Sequence, residues 1–258
     1  MPYATRLYPF FCRIGSKRVI INDIEPVIPE HDLYVEPFVG GGAVFFGLAD
    51  DIIGNRKVIS DADKELMEGY RLLKSANPDA PYRVPASVPA KQHFVNTTHT
   101  NKEDKLISRL LMTCNTFSNI GYGRIYKNYT HASKLKKIAE YKKRLQNTTI
   151  LSQDYKSVIK KYDTPDTFFF LDPPYEKSGG LYLSNEKGIS FPEMAEILKK
   201  IKGDFLLTIN DSPEIRQIFS GFVITPIKVR GAGGKDKGIG KDILRKELFI
   251  TNYILDSK

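Results

Sequence analysis

The sequence is poor in cysteine. It has two, Cys12 and Cys114, too far apart along the chain for a zinc-ligand spacing or a disulfide framework. The expectation is a pair of isolated thiols in a reducing compartment, and no metal site is expected. No apolar run approaches the ~20 residues that span a bilayer. The apolar stretch within Met1 to Phe11 is too short for the central region of a signal peptide, and no small-residue cleavage site follows it. Membrane insertion and secretion are therefore not expected. The chain also lacks internal repeats, which argues against a solenoid.

What is present fits one sizeable α/β unit with room for an insertion. Hydrophobic residues make up 41% of 258, enough to bury a core. Lys and Arg number 39 against 30 for Asp and Glu, a formal charge of +9. A surplus of that sign and size favours a polyanionic partner, most commonly nucleic acid.

Short apolar runs alternate with helical patterns. The runs are Leu33 to Glu36, Lys57 to Ser60, Thr149 to Leu151, Thr167 to Leu171 and Asp204 to Ile209. The run Thr167-Phe168-Phe169-Phe170-Leu171 is apolar on both faces, as a strand in a sheet covered on both sides must be. Helices are expected near 42–50, 63–76, 190–202 and 212–220. At the end, Phe222 to Val229 and Glu247 to Leu255 read as an antiparallel hairpin with a Gly-rich basic connection containing Lys235, Lys237 and Lys241. Residues 77–145 break the rhythm. They open on prolines, continue through a helix near 102–113 and a polar, aromatic stretch, and end in a basic amphipathic helix from Lys134 to Leu145. They read as a small inserted domain.

Two constellations carry chemistry. In Glu36-Pro37-Phe38-Val39-Gly40-Gly41-Gly42-Ala43 a strand turns tightly into a helix, and glycines there let a ligand approach the backbone. Asp61, one βα unit later, can accept ribose hydroxyls. A dinucleotide fingerprint would want glycine where Phe45 stands, which disfavours NAD. The second is Asp172-Pro173-Pro174-Tyr175, directly after the most apolar strand. An exocyclic aromatic amine is a poor nucleophile because its lone pair is delocalised into the ring. A carboxylate on one amino hydrogen and a backbone carbonyl on the other localise that pair and aim it. Asp172 and the Pro173 carbonyl are the candidate acceptors, Pro174 helps to fix the backbone, and Tyr175 offers a face for stacking a base.

Together the motifs resemble the α group of amino-methylating DNA methyltransferases, the family of the DNA adenine methylases. Its Phe-x-Gly-x-Gly is matched by Phe38, Gly40 and Gly42, its recognition domain by the insertion, and its Asp-Pro-Pro-Tyr by Asp172 to Tyr175. The resemblance implies a Rossmann-like α/β methyltransferase sheet of seven strands with a reversed terminal strand, plus a small, mostly helical target-recognition domain. The catalytic domain would comprise 1–76 and 146–258, and the insertion 77–145. The cofactor implied is S-adenosylmethionine. Its expected contacts are Phe11, Gly15 and Lys17 of an N-terminal aromatic-x-Gly-Gly-Lys motif, with Ile14-Gly15-Ser16 standing where a glycine pair is usual. Glu36, Phe38, Gly40, Gly42, Asp61, Asp154, Tyr155 and Asp172 complete the set. The implied reaction is methylation of adenine N6, and the implied setting is the cytoplasm of a prokaryote or of a virus-infected cell.

The implied partner is double-stranded DNA with the target base flipped out. Asn119 and Arg124 are the candidate base readers. Lys134 and Lys137, with Lys136, Lys142, Lys143 and Arg144 in the same run, are the candidate phosphate contacts; a solvated helix face is the competing reading. The stretch Tyr126 to Ser133 departs from the family's GATC readers, so GATC is not assigned. A cognate restriction nuclease is a further partner this family allows, and a monomer or weak dimer is expected. Cytosine N4 and RNA adenine pose the same electronic problem, and a catalytically silent DNA-binding relative would share the fold; these alternatives stay open at this point.

Overall fold

The computed structural model describes residues 6–13, 15–83, 101–114, 129–174, 189–230 and 244–255. Its centre is a seven-stranded sheet in the order β3-β2-β1-β4-β5-β7-β6. The strands are β1 Leu33–Glu36, β2 Arg56–Ser60, β3 Thr148–Leu151, β4 Thr167–Leu171, β5 Asp204–Asn210, β6 Val223–Arg230 and β7 Leu244–Thr251. The first five run parallel, and β7 is antiparallel to both of its neighbours. The last strand thus enters the sheet reversed, between β5 and β6. It begins three residues earlier than its apolar pattern suggests, because Leu244, Arg245 and Lys246 continue the ladder to Arg230, Val229 and Lys228.

Ten α-helices flank the sheet among the described residues: α1 Ile21–Ile24, α2 Ala43–Gly47, α3 Asp50–Ile53, α4 Lys64–Ser75, α5 Lys102–Cys114, α6 Tyr129–Leu135, α7 Ile138–Leu145, α8 Tyr155–Tyr162, α9 Phe191–Leu198 and α10 Pro213–Ile218. The central strands alternate between two cores. Tyr34, Phe168 and Phe170 face the side of α1, α2, α4 and α7. Val35, Phe169 and Leu171 face α8, α9 and α10. Period-two alternation explains how one strand feeds both layers. Phe169 is fully buried, so Phe169→Ala is expected to cost about 3–5 kcal/mol in urea unfolding.

The helix starts follow their caps. Asp63, Asp154, Ser190 and Ser212 each accept a hydrogen bond from a backbone N–H in the first turn of α4, α8, α9 and α10. No helix is expected between 146 and 189, yet α8 forms there with Tyr155, Val158 and Ile159 as its buried face.

The described parts of 77–145 join the first core: Leu106 and Leu110 of α5, Leu135 of α6, and Ile138, Tyr141 and Leu145 of α7. Ion pairs from Lys105 and Arg109 to Glu68 tie α5 to α4. The expectation of isolated thiols fails. Cys12 is disulfide-bonded, and no cysteine is free among the described residues. Distance along the chain sets no limit on approach once later helices pack on the N-terminal segment, as α6 does when Lys134 bonds the Phe10 carbonyl. No helix among the described residues is long and apolar enough to cross a membrane.

Candidate active site

The C-terminal ends of β1, β2 and β4 open on a cavity of about 700 Å³, within the usual range for small-molecule sites. Ligands of open parallel sheets bind at this edge, beside the point where strand order reverses. Here β1 has β2 on one side and β4 on the other.

The turn after β1 is held from both sides. The Gly40 N–H donates to Asp61 Oδ2 at 3.1 Å, and the Tyr70 hydroxyl donates to the Gly40 carbonyl at 2.9 Å. A Cβ on Gly41 would sit 2.3 Å from the Phe11 carbonyl oxygen. Gly42 has φ +78°, and its added Cβ would meet Tyr70 Oη at 2.6 Å and the Phe46 ring at 2.7 Å. Gly40 is required by its positive φ of +47°, Gly41 by closeness of approach, and Gly42 by both.

Burial pushes Asp61 above the usual carboxylate range, and Arg13 partly offsets this. Arg13 pairs with Asp63 beside it. Glu36, 2% exposed, accepts from the Tyr34 hydroxyl at 2.8 Å. Burial raises Glu36 strongly; the Tyr34 hydrogen bond opposes this, and nearby Asp172 adds to it. On the far wall Phe38 and Tyr155 lie with ring centroids 5.3 Å apart. Burial pushes the Tyr155 hydroxyl up to about 12, and that hydroxyl has no hydrogen-bond partner among the described residues. At the rim Lys156 of α8 and Glu193 of α9 form an ion pair at 2.5 Å.

Asp172 stands at the end of β4. Its Oδ1 receives the Lys17 ammonium at 2.8 Å and the Thr208 hydroxyl at 2.9 Å. No donor among the described residues reaches Oδ2. The β4–β5 register pairs Leu171 with Leu207, which brings Thr208 alongside Asp172.

Most of the expected cofactor and catalytic residues border this one cavity: Phe11, Gly15, Lys17, Glu36, Phe38, Gly40, Asp61, Asp154, Tyr155, Asp172, Pro173 and Pro174. Several differ from expectation in what they present. The Phe11 ring is fully buried against Tyr70 and Phe10, so the ring itself is core. Gly42 does not line the cavity; it shapes the turn. Asp154 caps α8, with its two carboxylate oxygens accepting from Ser157 N and Oγ. Lys17, expected as a cofactor contact, is bonded to Asp172 and to the Gly15 carbonyl. Tyr175, Asn119 and Arg124 lie outside the described residues.

Lys134 is corrected as a phosphate contact. Its side chain is buried, and its ammonium donates to the Phe10 carbonyl and lies 3.6 Å from Cys12 Sγ. Burial lowers it to about 8. In the same run Arg144 turns inward to the Phe45 and Leu48 carbonyls, and Lys142 bonds the Ala76 carbonyl. Lys136, Lys137 and Lys143 remain exposed, with Lys137 near Glu140 at 3.5 Å.

Sequence reading missed Thr208, Tyr34, Arg13 and the Lys156–Glu193 pair. A lone hydroxyl inside the apolar run Leu206-Leu207-Thr208-Ile209 was the available signal for Thr208. Tyr34 stands two residues before Glu36, on the same face of β1, and that spacing was its signal; Arg13 and the Lys156–Glu193 pair find their partners only in the folded chain.

A type II methyltransferase, M1.LlaDCHI of Lactococcus lactis, is 27% identical over 286 residues, covering 96% of each chain. The type II methyltransferase M.CviBI of a Paramecium bursaria Chlorella virus is 26% identical, covering 93% of this chain and 97% of its own. The DNA adenine methylase of Vibrio cholerae is 23% identical, covering 86% of this chain and 90% of its own. The profile described as D12 class N6 adenine-specific DNA methyltransferase matches residues 14–232. With most of its length matched by that profile, the chain belongs to the D12 class of N6 adenine-specific DNA methyltransferases.

Proposed function

We propose that the chain transfers the methyl group of S-adenosylmethionine to N6 of an adenine turned out of double-stranded DNA, at one recognition sequence. Membership in an adenine-specific DNA family answers the choice left open among adenine, cytosine and RNA. The observation that carries the proposal is the Asp172 carboxylate at the cavity, held through one oxygen by Lys17 and Thr208.

The cavity fits the cofactor. The aromatic pair Phe38 and Tyr155 suits a purine, and the unpartnered Tyr155 hydroxyl is a polar atom awaiting one. Asp61 suits ribose hydroxyls, and Glu36 suits the cationic end of the methionine part. When bound, the cofactor supplies an electrophilic methyl on a sulfonium. Asp172 Oδ2 then accepts one hydrogen of the adenine amine, and the Pro173 carbonyl the other. The two prolines fix both acceptors before substrate arrives, so little reorganisation remains at the transition state. Tyr175 stacks the base, which offsets part of the few kcal/mol that flipping costs.

On the DNA side the target-recognition segment lies within 77–145, with Asn119 and Arg124 reading bases and Lys137, Lys136 and Lys143 facing phosphates. The type II methyltransferase names of two relatives support a paired restriction nuclease. A cytoplasmic location and a monomer or weak dimer complete the reading. Incubation with labelled S-adenosylmethionine and unmethylated DNA, followed by nucleoside analysis, is expected to yield N6-methyladenine; no label in adenine from any sequence context would contradict the proposal.

Glu36 gives a prediction on pH. Its value is raised in the folded protein by burial first. Its favourable contribution is therefore complete below the unfolded carboxyl value and is lost as pH rises through the folded one. Glu36→Gln should make the ligand-free protein more stable relative to wild type as pH rises above the unfolded carboxyl value, as read by urea unfolding, while weakening cofactor binding.

A further inference from the structure

Lys17 links Asp172 to a carboxylate on β7. Its ammonium lies 2.8 Å from Asp172 Oδ1 and 3.8 Å from Glu247 Oε2. The lysine side chain is 4% exposed and that of Glu247 is 7% exposed. Glu247 stands on β7, opposite Asn210 of β5. It does not line the cavity, so it is out of reach of a ligand there.

A buried ammonium needs compensation, and Asp172 alone would supply one opposite charge. The ammonium also donates to the Gly15 carbonyl at 3.2 Å, but a neutral carbonyl does not balance its charge, and lysine is a compact charge on a flexible stem that can still turn between the two Asp172 oxygens. A second carboxylate behind the ammonium fixes its direction. Direction matters at this site. With Lys17 and Thr208 both on Oδ1, Oδ2 stays open to an incoming amine. A lysine that swung to Oδ2 would occupy the acceptor with a donor that does not react.

We infer that Glu247 is a positioning residue for methyl transfer: it holds the Lys17 ammonium on Oδ1 of Asp172, so that Oδ2 is the oxygen that receives the adenine amine. The inference rests on the proposed reading of Asp172 as the amine acceptor. It assigns to the reversed strand β7 a role beyond closing the sheet. Glu247 acts through Lys17 and touches neither substrate nor cofactor.

The test compares the full chain with Glu247→Gln, Lys17→Met and the double variant. Three quantities are read: the single-turnover methylation rate at saturating DNA and cofactor, S-adenosylhomocysteine affinity by calorimetry, and the thermal midpoint. Glu247→Gln should slow the rate about 10–100-fold, the scale of a small misplacement of a reacting group. Cofactor affinity should stay within about threefold, since binding groups are untouched. Added to Lys17→Met, Glu247→Gln should change the rate no further, because the two act as one unit. A wild-type rate in Glu247→Gln, a loss confined to cofactor affinity, or losses that multiply in the double variant would overturn the inference. If Glu247→Gln folds poorly, Glu247→Asp carries the test: the shortened carboxylate should give a rate below wild type at unchanged cofactor affinity, and a wild-type rate would overturn it. Absence of adenine methylation by the wild-type chain would bring down the underlying reading and this inference with it. An active wild type with an inert Glu247 substitution brings down the inference alone.

Discussion

Asp172→Ala is expected to reduce methyl transfer by at least about 10²–10³-fold, the scale on which a single pre-organised transition-state hydrogen bond acts. Calorimetric binding of S-adenosylhomocysteine should change by no more than severalfold. The carboxylate receives Lys17 and Thr208 on Oδ1, and its other oxygen is assigned to the substrate amine. A hydrogen bond to an ionised acceptor strengthens as positive charge develops on nitrogen, so its loss falls on the transition state more than on the bound substrate. Asp172→Asn should be nearly as damaging, because its amide would offer Lys17 and the adenine amine a neutral partner. An Asp172→Ala protein with a raised KM and an unchanged kcat would place the residue in ground-state binding instead.

The second large effect is expected at Gly42. Gly42→Ala combines a left-handed backbone, φ +78°, with a Cβ 2.6 Å from Tyr70 Oη and 2.7 Å from Phe46 Cδ2. Both rings are fully buried and cannot retreat freely. The backbone cost is about 1–2 kcal/mol and overpacking adds about 1–3 kcal/mol. Urea unfolding should register the sum. Tyr70 also holds the Gly40 carbonyl, so displacing it should loosen the turn and weaken cofactor binding together with stability. Gly54→Ala is the control. It shares a positive φ, but nothing lies within 4 Å of its added Cβ, so its cost should stop at the backbone strain.

Much of this architecture was legible in the residues. The run Thr167 to Leu171 announces a strand buried on both faces, and the Asp-Pro-Pro that follows it lies at the cavity edge. The glycines after Glu36 mark a turn whose crowding the structure makes plain. What stayed hidden depended on register. Thr208 meets Asp172 only because Leu171 pairs with Leu207, and Glu247 comes near Lys17 only because β7 inserts in reverse beside β5. Neither relation has a trace in local pattern. The basic run from Lys134 to Arg144 shows the converse. Charge suggested a phosphate-binding face, yet Ile138, Tyr141 and Leu145 turn α7 against the core, and Lys134 and Arg144 carry their charges inward to backbone carbonyls. Long basic side chains bury their stems readily, so composition alone does not tell which way they point.

The description of Asp172 as a clamped acceptor implies a chemical product in living cells. Methylation-aware sequencing of DNA from cells expressing the full chain, beside cells expressing Asp172→Ala, is the most direct measurement. N6-methyladenine at a single sequence context in the first sample and none above background in the second is the predicted result. Unmethylated adenine throughout both samples, or equal methylation in both, would contradict the account.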